Sequence, residues 1–241
     1  MIKSIYTYRD GLKDGIPIAL GYLFVSMGFG ITAVNIGLPV WIASLISATN
    51  VTSAGQVAGL EIIKGASTLA VSAVEMFLTQ LVINLRYSLM GITLSQNLDD
   101  SFTSGRRMLT SFMITDEIFA VGASKEKCIG VKYMLGLSTL PFAGWVGGTA
   151  IGALAASWMP EEISYIFGMA VYGMFLAIFV QPSLKEKGVL LCVGLAAALS
   201  CIVYYLPCLS FISSGFSIII CSVIASTAAA LLMPVDDKED Q

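Results

Sequence analysis

Asp116 and Glu117 stand side by side in SFMITDEIFAV (111–121), a stretch with no other charge. Glu75, Asn84 and Arg86 lie in a second apolar stretch, and Ser53, Gly55 and Gln56 interrupt a third. In water these would be ordinary surface groups. In lipid, a carboxyl buried without a counter-ion has its pKa raised toward neutrality. A carboxyl that is neutral or charged near pH 7 is a proton carrier, so intramembrane acids are candidates for function. Asp116, Glu117 and Glu75 are the proton-coupling candidates of this chain.

The surroundings follow from composition. The 241 residues are 56% hydrophobic and 12% charged, with a mean hydropathy of +0.84. Soluble domains carry roughly a quarter charged residues, and a span needs about 20 apolar residues to cross the hydrocarbon core. Eight apolar segments run over about 16–34, 39–60, 66–94, 108–123, 133–157, 163–181, 188–205 and 209–233. These imply an all-α integral membrane protein, a polytopic bundle of seven to eight apolar segments with broken or re-entrant helices among them. One transporter-sized domain fills residues 1–241. The opening MIKSIYTYRDGLKDG has no cleavage pattern after a short apolar core, so the first span is expected to stay. The net charge of −3 owes part of its value to a DDKEDQ tail, which reads as solvated.

Several chemistries are excluded. Histidine is absent, which removes Ser-His nucleophiles and His-ligated metals. Cys128, Cys192, Cys201, Cys208 and Cys221 lack CxxC spacing and read as small hydrophobes. No Walker loop or GxGxxG occurs, so neither nucleotide nor other cofactor is expected.

Basic residues accumulate on the cytoplasmic side. Lys3, Arg9 and Lys13 precede the first span and predict a cytoplasmic N-terminus. Eight simple crossings would put Arg106 and Arg107 outside. If segments 39–60 and 108–123 instead enter and leave on one side, every basic cluster except Lys64 becomes cytoplasmic, including Lys125, Lys127, Lys132, Lys185 and Lys187. Trp158, Tyr133, Tyr165, Tyr204 and Tyr205 suit the interfacial belts.

The polar positions fall into patterns. Ser47, Thr49, Asn50, Thr52, Ser53, Gly55 and Gln56 break the apolar run of 46–60. Non-helical backbone at membrane depth is tolerated where protein or water surrounds it, and helix ends there can meet an anionic group. An extracellular loop between two shorter helices is the other reading. Thr68, Ser72, Glu75, Thr79, Arg86 and Thr93 share one helical face, with Gln80, Asn84, Tyr87, Gly91 and Ser95 beside it. Arg86 either snorkels to an interface or pairs with Asp116, Glu117 or Glu75. Adjacent residues point about 100° apart on a helix, so one partner can engage only one of Asp116 and Glu117. Gly144, Gly148, Gly152 and Ala156 recur at four residues and let another backbone approach; Ser222, Ser226 and Ala230, and Gly173 and Ala177, repeat the theme.

The chain resembles the AzlC/BrnF-type branched-chain amino acid permeases. The matching pieces are DGIPIALGYLFVSMGFG from Asp14, TSAGQVAGL from Thr52, LVINLRYSLMG from Leu81, ITDEIFAV from Ile114, YMLGLSTLPFAGWVGGTAIGA from Tyr133 and GMAVYGMFLAIFV from Gly168. They cover about residues 10–185 in order. The resemblance implies a large permease subunit in the cell membrane that exports leucine, isoleucine, valine and methionine. It also implies a small hydrophobic AzlD-type partner. The family's usual GxxQFA reads here Gly55-Gln56-Val57-Ala58 without the aromatic, which bears on substrate choice.

A zwitterionic substrate would place its carboxylate near Ser53, Gly55 and Gln56 or near Arg86, with Asn84 on the same helix. Its ammonium would meet Asp116 or Glu117. Proton antiport needs a carboxyl that cannot hold proton and substrate together. Two other classes remain open. A channel or facilitator for small zwitterions would use the polar stripe of 66–94 as a pore, and a carboxylate-dependent intramembrane enzyme would need Glu75 and Asp116 to converge.

Overall fold

The computed structural model describes residues 4–65, 68–125, 128–160, 182–206 and 211–233, with residues 166, 167, 169, 172, 173, 176, 180 and 209. Ala177, Tyr165, Cys208, Lys127 and the acidic tail lie outside the described residues. The helices are α1 (Tyr8–Asn35), α2 (Val40–Thr49), α3 (Ser53–Lys64), α4 (Leu69–Ser95), α5 (Ser104–Phe112), α6 (Asp116–Ala123), α7 (Val131–Ala155), α8 (Lys187–Tyr205) and α9 (Ser214–Leu232). Among the described residues there is no strand, only an isolated parallel bridge between Leu98 and Ile129. Helices α1, α4, α7, α8 and α9 are long and apolar enough to cross a membrane. The chain is an all-α polytopic membrane protein.

Two of the predicted segments are broken. Segment 39–60 becomes α2 and α3, separated at Asn50, whose backbone is extended with φ −138° and ψ 103°. This break falls inside the polar run that marked it. Segment 108–123 is one apolar run in the sequence. The chain instead stops at Phe112 and restarts at Asp116. Thr115 is the cause: its hydroxyl oxygen accepts the Ile118 N–H at 3.4 Å. A threonine that caps a new helix offers the backbone an alternative to the old one.

Two compact units form, one of Met1–Val57 with Ile83–Val171 and one of Ala58–Val82 with Tyr172–Gln241. The first is built on α1 against α7, and glycine lets these helices touch backbone to backbone. A methyl on Gly144 would lie 2.6 Å from the Ala19 carbonyl oxygen, and one on Gly15 would lie 2.7 Å from that of Leu137. Gly148 faces Leu23, Gly152 faces Met27, and Gly30 faces Thr149 in the same way. The repeat on α7 is thus spent on internal packing, and α1 brings matching glycines of its own. Leu94, Ile118, Ile129, Tyr133, Met134 and Leu137 form a core that ties the end of α4 and α6 to α7.

In the second unit α8 packs along α9. The buried stripe of α9 is Cys221, Ala225 and Ala229, one residue before the predicted Ser222, Ser226 and Ala230. Ser226 turns its hydroxyl to the Val223 carbonyl at 3.2 Å and needs no neighbouring helix. On α4, Phe77, Leu81, Leu85 and Leu89 are each more than half exposed. Their spacing of four makes a single apolar face, as contact with lipid requires.

Candidate functional site

Arg86 projects from α4 and Asp116 from the first turn of α6, and they form an ion pair at 2.9 Å. The guanidinium also donates to the Tyr87 hydroxyl at 3.1 Å and stands 5.0 Å from the centre of that ring. The two charged side chains are 38% and 26% exposed, so the pair is shielded yet reachable by a small ligand. Of the two sequence readings of Arg86, the geometry selects the ion pair.

Glu117 points elsewhere, as adjacent helical residues must. Its carboxylate accepts a short hydrogen bond from the Tyr22 hydroxyl of α1. Tyr22 is also hydrogen-bonded to Thr115 Oγ1 at 2.6 Å, and its ring meets that of Trp145 edge-on at 5.3 Å. Both acids occupy the N-terminal turn of α6, where the helix dipole favours negative charge. At the far end of α6, Lys125 pairs with Asp14 of α1 at 2.8 Å, and Tyr133 donates to the same carboxylate at 2.7 Å. The short helix is staked at both ends.

The break between α2 and α3 is stapled from within. Gln56 Nε2 donates to the Asn50 carbonyl at 2.5 Å and to Ser47 Oγ at 3.2 Å. Ser47 shares a 2.7 Å hydrogen bond with Thr149, whose hydroxyl donates to the Trp145 carbonyl at 3.0 Å. Thr52 reaches from the break to Asn84 Oδ1 at 2.9 Å, and Asn84 lies two residues before Arg86 on α4. Gln56 Oε1, Arg86 Nε and Trp145 Nε1 are buried polar atoms without a protein partner. A ligand bonded to such atoms removes a penalty of about 1–3 kcal/mol each.

The structure therefore brings Gln56, Asn84, Arg86, Asp116 and Glu117 into one unit, along the two helix breaks. Ser53 and Gly55 stand in the first turn of α3 beside them. Glu75 belongs to the other unit. Its carboxylate accepts from the Ser213 hydroxyl at 2.5 Å and the Gly215 N–H at 2.7 Å. It caps the N-terminus of α9, a task usually done by the N-cap side chain itself. The sequence reading missed Tyr22, Trp145 and the Asp14–Lys125 pair. Lys125 just past the end of α6 was the one available signal, because cations favour helix C-termini.

These features define a polytopic helical membrane protein with a charged pair whose acid stands at the start of a helix that follows a break. The chain belongs to the AzlC family, whose model, described as AzlC protein, matches residues 17–159. It is similar to the inner membrane protein YgaZ of Escherichia coli, with 23% identity over 80% of each chain. It is 29% identical to an uncharacterised membrane protein of Archaeoglobus fulgidus over 76% of this chain and 78% of that one. The branched-chain amino acid transport protein AzlC of Bacillus subtilis is 25% identical over 75% of this chain and 69% of its own. No solved structure matches.

Proposed function

We propose that this chain, acting as one transporter domain, is the large permease subunit of a secondary exporter of branched-chain amino acids and methionine, driven by proton antiport. It works in the cell membrane with a small hydrophobic partner of the AzlD type, its N-terminus cytoplasmic. The observation that carries the reading is the 2.9 Å Arg86–Asp116 pair. A zwitterion fits between the two charges, its carboxylate on Arg86 and its ammonium on Asp116, so one ion pair becomes two. The polar atoms of Gln56, the α3 turn at Ser53 and Gly55, and Asn84, which accepts from Thr52, supply hydrogen bonds to the main-chain groups.

Asp116 then has three mutually exclusive partners: Arg86, the substrate ammonium and a proton. A protonated Asp116 cannot hold an ammonium, and a substrate-bound one cannot hold a proton. That exclusion is what antiport requires, since a ligand shifts an equilibrium only through its differential affinity. Glu117, held by Tyr22, which also bonds Thr115, keeps the α6 N-terminus in place and raises the local negative potential. Glu75, already bound to Ser213 and Gly215, serves α9 and not the proton.

The test is proton release. Adding leucine to the purified protein in weak buffer should acidify the solution over the pH range where Asp116 titrates, and the Asp116→Asn variant should release none. Leucine binding with no proton release in the unaltered protein would remove the antiport reading.

A further inference from the structure

A cavity of about 470 Å³ lies within the first unit, lined by residues that flank both members of the ion pair in sequence. Its size lies in the range of small-molecule sites, about 300–1,000 Å³. Tyr87, the hydrogen-bond partner of Arg86, forms one wall, and Ile114, two residues before Asp116, forms another. Leu94, Leu98, Phe102 and Met134 make the lining apolar. Arg107 of α5 stands at its rim, exposed and without an ion pair among the described residues. Gly91 of α4 also lines it, and a methyl built on Gly91 would meet no atom within 4 Å.

We infer that this cavity receives the aliphatic side chain of an amino acid substrate whose charged groups sit between Arg86 and Asp116, and that Gly91 sets its depth. The inference rests on the transport reading of that pair. Three features select an amino acid over a lipid tail. The wall at Tyr87 carries the hydroxyl that accepts from Arg86, so a guanidinium–carboxylate pair lies next to an apolar lining, which matches a zwitterion. The Ser88, Ser95 and Ser111 positions interrupt the apolar lining, where an acyl chain would leave hydroxyls facing hydrocarbon. The second cation, Arg107, favours a ligand that carries a carboxylate. The glycine is then a specificity residue: α4 gains nothing in packing from it, because no neighbour approaches.

The experiment fills the cavity from Gly91. Gly91→Ala and Gly91→Leu are compared with the unaltered protein, each reconstituted with the small partner, by competition of unlabelled alanine, valine, leucine and methionine against labelled leucine. Gly91→Leu should weaken leucine and methionine at least about tenfold, the scale of one to a few methylenes in a pocket. Alanine should be affected much less, and Gly91→Ala should lie between. Equal weakening of all four, or no change in a Gly91→Leu protein that elutes as the unaltered one, would overturn the assignment. A change confined to co-purified lipid, with transport unaltered, would do the same and make the cavity a lipid site. Failure of the unaltered protein to move any amino acid would instead refute the transport reading itself.

Discussion

Asp116→Asn should cut gradient-driven leucine movement by about tenfold or more, equivalent to about 1.4 kcal/mol, while leaving leucine–leucine exchange measurable. Asparagine keeps the shape and the acceptor oxygen of aspartate but neither binds a proton in this pH range nor offers a charge to an ammonium. The coupling is lost and the passage stays. Arg86→Gln should lose both activities, because it removes the cation assigned to the substrate carboxylate. Breaking a fully buried pair costs about 3–5 kcal/mol. Here the side chains are 38% and 26% exposed, which discounts that figure and predicts that both variants still fold. Uptake of labelled leucine into proteoliposomes, with and without a proton gradient, measures both activities. Full gradient-driven activity in Asp116→Asn would make Asp116 a structural acid.

Gly152→Val should be the most damaging single change to the fold. The first atom of a new side chain would fall 2.6 Å from the Met27 Cα and 2.7 Å from its carbonyl carbon. Those are backbone atoms of a long helix, and no rotamer change relieves them. Overpacking a core costs about 1–3 kcal/mol when side chains can shift, and here α1 must move away from α7. The expectation is a large loss of monodisperse protein after detergent extraction. Gly147→Ala, five residues earlier on the same helix, is the control. Nothing lies within 4 Å of its added methyl, and exchanging glycine for alanine in a helix favours the helix by roughly 0.5–1 kcal/mol. Equal yields from the two variants would contradict close α1–α7 packing.

The glycine repeat of α7 was legible because spacing alone puts Gly144, Gly148 and Gly152 on one face. Its partner was not, since of the five glycines of α1 those that meet α7 closely, at 11, 15 and 30, follow no regular repeat. The polar run at 46–60 announced the α2–α3 break, because hydroxyls and an asparagine compete with the helical backbone. The α5–α6 break hid inside an apolar run, and its only mark was Thr115, a capping residue before two acids. Arg86 and Asp116 were each visible as charges that lipid would penalise, so their pairing was among the readings. Glu75 was visible for the same reason, but periodicity carries no information about a helix terminus 138 residues away in the chain. Tyr22 and Trp145 gave no signal at all, for aromatic residues in a span look like lipid-facing ones until their neighbours are known.

The central claim is that one carboxylate, paired with Arg86, exchanges a proton for an amino acid. Its most direct test is movement of radiolabelled leucine in proteoliposomes holding this chain and the small partner, across an imposed proton gradient with leucine equal on both sides. Leucine accumulating against its own gradient, in the direction opposite to proton flow, is the predicted result. Leucine that equilibrates at the same rate whether or not the gradient is present would contradict the account and leave a facilitator.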